Sequence, residues 1–187
     1  MCRTIWGALL RHDPPVIVLG CEGSGFRSFT RKQRDQQRIR KKRSVLDTYS
    51  IGQGYSLRDE THSTWIHVNV DIYGGDPCVR WRDLPVGTAG VICIVDSSDE
   101  EMIELTRVAL SGFYERHENL LKESALLVLA NKQDRVDALS VMEVMRKMEL
   151  ETRFEGRRWH IQGTDTISGD GIEEGLEWIA MQISMIR

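Results

Sequence analysis

Residues 125–134 read ALLVLANKQD, an apolar run that stops abruptly at four polar residues. Leu126, Leu127, Val128 and Leu129 have the pattern of a strand buried on both faces of a parallel sheet, a pattern that a buried helical turn also gives. The polar residues that follow decide between the two. In open α/β sheets ligands sit beyond the carboxyl ends of the strands, so Asn131, Lys132 and Asp134 are delivered to a binding crevice. An Asp two residues past a Lys can accept both edge donors of a guanine as a bidentate pair, while the Lys stem covers the ring and the Asn ties neighbouring loops.

Working outward, residues 90–98 (GVICIVDSS) form a second apolar run that ends in an Asp-Ser turn and reads as core. Val16 to Leu19 is a four-residue, mostly β-branched run and reads as the first core strand. Residues 54–57 and 63–71 read as two further strands, the second with Trp65, His67 and Asn69 alternating against Ile66, Val68 and Val70. Residues 100–114 carry Met102, Ile103, Leu105, Val108, Ala109, Leu110 and Phe113 at helical intervals, with acids early where they suit the helix dipole. A second amphipathic helix is expected over 137–150, with Val141, Val144, Met145 and Met148 inward. Residues 159–162 read as a final strand, and the terminal helix should bury Leu176, Ile179 and Ile183. His67 and His160 read as structural, and Met102 and Phe113 as core. Strands and helices alternate from 16 to 183 without an internal repeat, which predicts a doubly wound, mostly parallel α/β sheet flanked by helices.

At 187 residues the chain fits one domain, expected over 16–187 and preceded by a segment 1–15. The net charge of -3 is too small to imply a polyanionic partner, yet residues 27–43 hold nine basic residues against one acid, Asp35. That run reads as a solvated face; its alternative is attraction to anionic lipid or nucleic acid, the latter lacking the interleaved aromatics of stacking surfaces. Residues 1–10 place Ile5, Trp6, Leu9 and Leu10 near helical spacing, as a packed terminal turn or an amphipathic segment. Cys2, Cys21, Cys78 and Cys93 show no metal-ligand spacing and are expected as free thiols in a reducing compartment. No apolar run approaches the length needed to cross a bilayer.

Gly20, Gly23 and Gly25 have the spacing of a phosphate-binding loop, in which successive backbone N–H groups converge on phosphate oxygens. This loop, NKQD at 131–134, WHIQG at 159–163, SGDG at 168–171 and the D-x-x-G of Asp71 to Gly74 with Trp81 beyond it resemble the Arf and Arf-like family of small GTP-binding proteins. The resemblance implies a P-loop small-GTPase fold, GTP or GDP with magnesium as ligand, and effector, exchange-factor and activator proteins as partners. It assigns the guanine to Asn131, Lys132 and Asp134, with the backbone N–H groups of Thr164, Asp165 and Thr166 reaching its carbonyl oxygen. Asp165 sets a negative group near that oxygen. It assigns phosphate to Gly20, Gly23, Ser24, Gly25, Phe26, Arg27, Ser28 and Gly74, and the metal to Ser50 and Asp71.

The departures lie in the phosphate half. Phe26 and Arg27 stand where the family has Lys and then Ser or Thr, so the bridging ammonium and the metal-holding hydroxyl are missing in register. Arg27 or Ser28 compensates only after a one-residue slip, and Arg cannot ligate a metal. Gly75 occupies the position of the catalytic Gln that orients water. Two expectations follow. One is an Arf-like guanine-nucleotide-binding protein with slow or no hydrolysis, a monomer acting as adaptor or switch in membrane traffic, cytoplasmic, with residues 1–10 or 27–43 as candidate membrane contacts. The other is a pseudo-GTPase interaction module, in which the Phe26 ring fills space that phosphate and magnesium vacate.

Overall fold

The computed structural model describes residues 16–21, 23–29, 31, 46–51, 54–59, 65–68 and 87–185, with 46–51, 54–59 and 65–68 described by their backbone. Seven strands form one sheet: β1 (Val16–Gly20), β2 (Leu46–Ile51), β3 (Gly54–Asp59), β4 (Trp65–Val68), β5 (Gly90–Asp96), β6 (Ala125–Asn131) and β7 (Trp159–Thr164). Their order across the sheet is β2-β3-β4-β1-β5-β6-β7. From β4 to β7 every pairing is parallel, and β2 and β3 extend that edge antiparallel. The helices are α1 (Glu100–Arg116), α2 (Glu118–Leu121), α3 (Val141–Lys147), α4 (Leu150–Arg153) and α5 (Ile172–Ser184), with a further helical turn over 26–29.

The unbroken apolar runs lie at the centre of the sheet, where both faces need covering: every residue of β5 and β6 is buried. Alternate residues then feed two cores. Ile17, Val91, Cys93, Val95, Leu126, Val128 and Ala130 pack against α1, α3 and α4 through Ile103, Leu110, Phe113, Val144, Met148 and Leu150. Val18, Ile92, Ile94, Leu127 and Leu129 pack on the opposite face against Phe26, Phe29, Ile172, Ile179 and Ile183. The architecture is the doubly wound, mostly parallel α/β sheet that the alternation of elements predicts. Gly175 of α5 lets that helix approach β6 closely, since a Cβ there would lie 3.1 Å from Leu129 Cδ2.

Three elements differ from expectation. Helix α1 buries Ile103, Thr106, Ala109, Leu110, Phe113 and Tyr114, whereas Leu105 and Val108 are 44% and 55% exposed. At about 100° per residue these two lie around the helix from the Ile103–Leu110 stripe, so the small polar Thr106 takes an inward place instead. The helix expected over 137–150 starts only at Val141, because Ser140 and Glu143 form a capping box. It ends before Glu149, which adopts φ 52 and separates α3 from α4. Strand β2, absent from the expected elements, pairs with β3 from Leu46↔Asp59 to Ile51↔Gly54. Residues 1–15, Gly75 and Trp81, and most of 27–43, lie outside the described residues.

The core assignment is testable by truncation. Leu127 is fully buried, and Leu127→Ala is expected to cost about 2–5 kcal/mol through lost transfer energy and a residual cavity. Leu105→Ala, on the solvent face of α1, should change stability by no more than about 0.5 kcal/mol. Urea denaturation of both variants measures the contrast.

Candidate nucleotide site

Parallel pairing brings strand ends together. Asp96 of β5 is level with Asn131 of β6, and Asn131 is level with Thr164 of β7. One row of polar residues thus crosses the carboxyl edge of the sheet, the position at which α/β folds bind ligands.

Asn131 is 1% exposed and holds this edge together. Its Nδ2 donates to the Ser24 carbonyl at 2.6 Å and to Thr166 Oγ1 at 3.1 Å. Its Oδ1 accepts from the Thr166 N–H at 2.9 Å and from Thr164 Oγ1 at 3.4 Å. The role expected of it, tying neighbouring loops, is the one these bonds describe. Lys132 adopts φ 67, which turns the chain sharply as it leaves the sheet, and its Nζ reaches Asp96 Oδ2 at 2.5 Å. Burial alone would push the Asp96 carboxyl up, but hydrogen bonds from Lys132 and from the Ser98 hydroxyl and N–H outweigh it and hold the group below its ordinary value. Gln133 is a strut: its N–H donates to the Thr164 carbonyl, and its Nε2 donates to Ser97 Oγ and the Leu139 carbonyl. Asp134 follows, exposed, and its carboxylate accepts no hydrogen bond among the described residues.

The loop after β7 is closed on itself. Asp165 accepts the Ile167 N–H on Oδ1 at 2.8 Å and the Ser168 N–H on Oδ2 at 2.9 Å. Its own N–H goes to the Asp170 carbonyl, and its carbonyl takes the Gly169 N–H. The Asp170 N–H donates to Ser168 Oγ at 3.2 Å. The Asp165 carboxylate, expected near a guanine oxygen, caps its own turn and is half-buried. The expected backbone donors of Thr164, Asp165 and Thr166 are likewise engaged within the protein, the Thr164 N–H in the parallel β6–β7 ladder.

Opposite lies the glycine loop after β1. Its Ser24 N–H bonds the Cys21 carbonyl at 3.1 Å, and Gly23 and Gly25 take φ 80 and 94. A Cβ on Gly25 would stand 2.1 Å from Asn131 Nδ2 and 2.7 Å from Thr166 Oγ1, so only glycine fits against the base-side loops. Phe26 is 6% exposed and its ring lies in the core under α5, beside Phe29. The apolar side chain is therefore not a phosphate ligand, contrary to its place among the expected phosphate residues; its ring belongs to the apolar cluster that includes Val18, Ile94 and Leu129. Arg27 and Ser28 are exposed, and Ser24 Oγ is buried with no hydrogen-bond partner among the described residues. Cys21 and Cys93 are buried free thiols, with Cys21 pushed up to about 11, chiefly by burial. Thr106 donates its hydroxyl proton to the Met102 carbonyl, so the Cys21 thiol, 2.7 Å from Thr106 Oγ1, is the donor there.

For magnesium the described residues offer a buried ring and a guanidinium in place of an ammonium and a hydroxyl, and no cluster of three His, Cys, Asp or Glu side chains among them suits a metal ion. Asp71 and Gly74, and the Ser50 side chain, lie outside the described residues. Asp96 and Gln133 were not anticipated as parts of the site; the strand-final Asp-Ser of 96–97 was the available signal, and register was needed to read it.

A carboxyl held below its ordinary value of 3.8 contributes stability above that pH and loses it as pH falls through the lower folded-state value. Asp96→Asn is therefore expected to be less stable than the parent at neutral pH and to converge with it below about pH 4. Urea midpoints measured across the acid range for both proteins check this.

The model of the ADP-ribosylation factor family matches residues 53–183. The ADP-ribosylation factor-like protein 1 of Saccharomyces cerevisiae is 30% identical over 189 residues, covering 96% of this chain and 91% of that protein. The chain belongs to the ADP-ribosylation factor family, small GTPases that bind GTP and GDP, generally with magnesium, and act as switches through effectors and regulators.

Proposed function

We propose that this chain binds guanine nucleotide through the base half of its site and hydrolyses GTP slowly or not at all, acting as an adaptor or switch in intracellular membrane traffic. The observation that carries the base half is the buried Asn131, bonded to both the glycine loop and the loop after β7, with the exposed Asp134 carboxylate three residues beyond. A carboxylate there matches the paired N1–H and 2-amino donors of guanine. In the phosphate half, Phe26 is committed to the core and Arg27 supplies a planar fork in place of a metal-ligating hydroxyl. Losing the phosphate Lys removes electrostatic stabilisation of a charged transition state, and Gly75 in place of Gln removes water positioning. The two losses act on one assembly and do not add.

The working unit in this reading is a single nucleotide-binding domain over 16–187 after an amino-terminal segment 1–15. It works as a cytoplasmic monomer, meeting membranes peripherally through residues 1–10 or 27–43 and making no nucleic-acid contact. A second reading, the pseudo-GTPase module, draws support from Asn131: its amide is fully hydrogen-bonded by protein groups, so NKQD also has a purely structural use.

Calorimetry separates the two. Specific GDP binding is expected, and Asp134→Asn should weaken it about tenfold to a hundredfold, the value of hydrogen bonds to a charged group. The same variant should gain affinity for xanthosine diphosphate, whose 2-oxo group complements an amide N–H. GDP that fails to bind at millimolar concentration to folded protein favours the module. In single-turnover assay with GTP, hydrolysis as fast as that of an activator-stimulated small GTPase would refute slow turnover.

A further inference from the structure

Strand β7 closes one side of the sheet, and its outer edge meets no other strand among the described residues. Register fixes which of its groups face outward. Leu126 is level with Trp159, and the Leu126 N–H donates to the Arg158 carbonyl, so residues 158, 160, 162 and 164 turn their backbone groups toward β6. The N–H and C=O of Trp159 and Ile161 therefore point away from the sheet, and they make no hydrogen bond among the described residues. Beyond them the edge is shut. The Gly163 carbonyl accepts Gln162 Nε2, and Gly171 packs so closely on it that a Cβ there would lie 2.0 Å away. Exposed edges are ordinarily blunted by charge or proline, yet WHIQGT holds no Lys, Arg, Asp, Glu or Pro, whereas β2 at the opposite edge carries Asp47. The open stretch is also half-buried and apolar on both faces. Trp159 and Ile161 border Leu139 and Val141 on one, and on the other His160 stacks on Trp178 with ring centroids 5.2 Å apart.

Charge is confined to the two ends. Arg157 and Arg158 precede the strand, and the Arg157 guanidinium has neutral partners in the Leu121 and Lys122 carbonyls and the Tyr114 ring, which leave its charge in place. Asp165 and Asp170 lie past the other end, Asp170 next to the Gly171 that packs on Gly163. We propose that β7 is a docking edge for an extended segment of another protein, which joins the sheet antiparallel to β7. The segment is apolar and β-branched at its centre, basic at its amino-terminal flank and acidic at its carboxyl-terminal flank. Backbone bonds to Trp159 and Ile161 supply the attraction, and alternate side chains settle against Val141 on one face and Trp178 on the other. The flanks set direction, because the same segment laid parallel brings like charges together at both ends. The inference goes beyond the nucleotide reading and stands whether or not a base binds.

Amide hydrogen exchange read by NMR on the full chain tests this. The probe is a synthetic peptide running lysine-lysine-valine-threonine-valine-threonine-valine-glutamate-glutamate, with a second peptide in which lysines and glutamates change places. In the free protein the His160, Gln162 and Thr164 amides are expected to exchange slowly and those of Trp159 and Ile161 fast. The first peptide should slow exchange at Trp159 and Ile161, and the second should bind about two- to fivefold more weakly. Methylating the backbone nitrogens of either the valines or the threonines should weaken the first peptide about tenfold for one set and leave it within about twofold for the other, since alternate residues face β7. Arg158→Glu should narrow the preference between the two charge orders; a ratio is read, so a general loss of stability does not imitate it. Slow exchange at Trp159 and Ile161 in the free protein, growing with its concentration, assigns the edge to a second copy and overturns the inference. So does either peptide leaving those amides fast at millimolar concentration, or slowing β2 instead. Equal binding of the two charge orders overturns the assigned direction.

Discussion

The site depends on one side-chain amide. Asn131 has four hydrogen-bonding capacities, and the protein uses all of them to join two loops that the chain itself separates widely. The amide is buried at the end of the most thoroughly buried strand, where an unmet donor or acceptor is costly, so the loops are held where the amide requires them. Gly25 is the complement of this arrangement, since the amide nitrogen occupies the space that any side chain there would need. The ion pair of Lys132 with Asp96 adds a third tie, from β5, and fixes the direction in which the chain leaves the sheet.

The two sides of the crevice touch through Asn131 but differ in what their side chains do. On the base side polar groups converge and satisfy one another. On the phosphate side, the residue in the ammonium position has joined the core beneath α5, where a buried aromatic ring contributes about 1.5–3 kcal/mol that a charged side chain would not. The same loop thus serves as scaffold for the base side and as core for the helix below it. Both uses keep Gly23 and Gly25 at positive φ.

Much of this was legible in the sequence. Strands β5 and β6 announce themselves as unbroken apolar runs because central parallel strands have no solvent face, and the polar break after Ala130 marks the carboxyl edge. Helix α1 is legible in period but not in angle: the apolar set includes Leu105 and Val108, and only the position of the sheet shows which side of the helix needs covering. The late start of α3 was written in Ser140 and Glu143, a local signal. Strand β2 was not legible, because LDTYSI lacks a clear apolar face and its pairing is with β3. Asp96 and the closed turn at Asp165 were not legible either. Their roles rest on register between strands and on which N–H groups a carboxylate meets, neither of which residue type alone determines.

The bond from Asn131 to Ser24 also bears on how the molecule folds. It closes a loop of 107 residues, and such closure is entropically costly until β1, β5 and β6 are already aligned. Neither end of the bond is formed by local structure. A partly folded chain with α1, α3 and α5 in place but β1 undocked lacks this bond, so the crevice at the carboxyl edge is assembled by contacts distant in sequence and not by any one element.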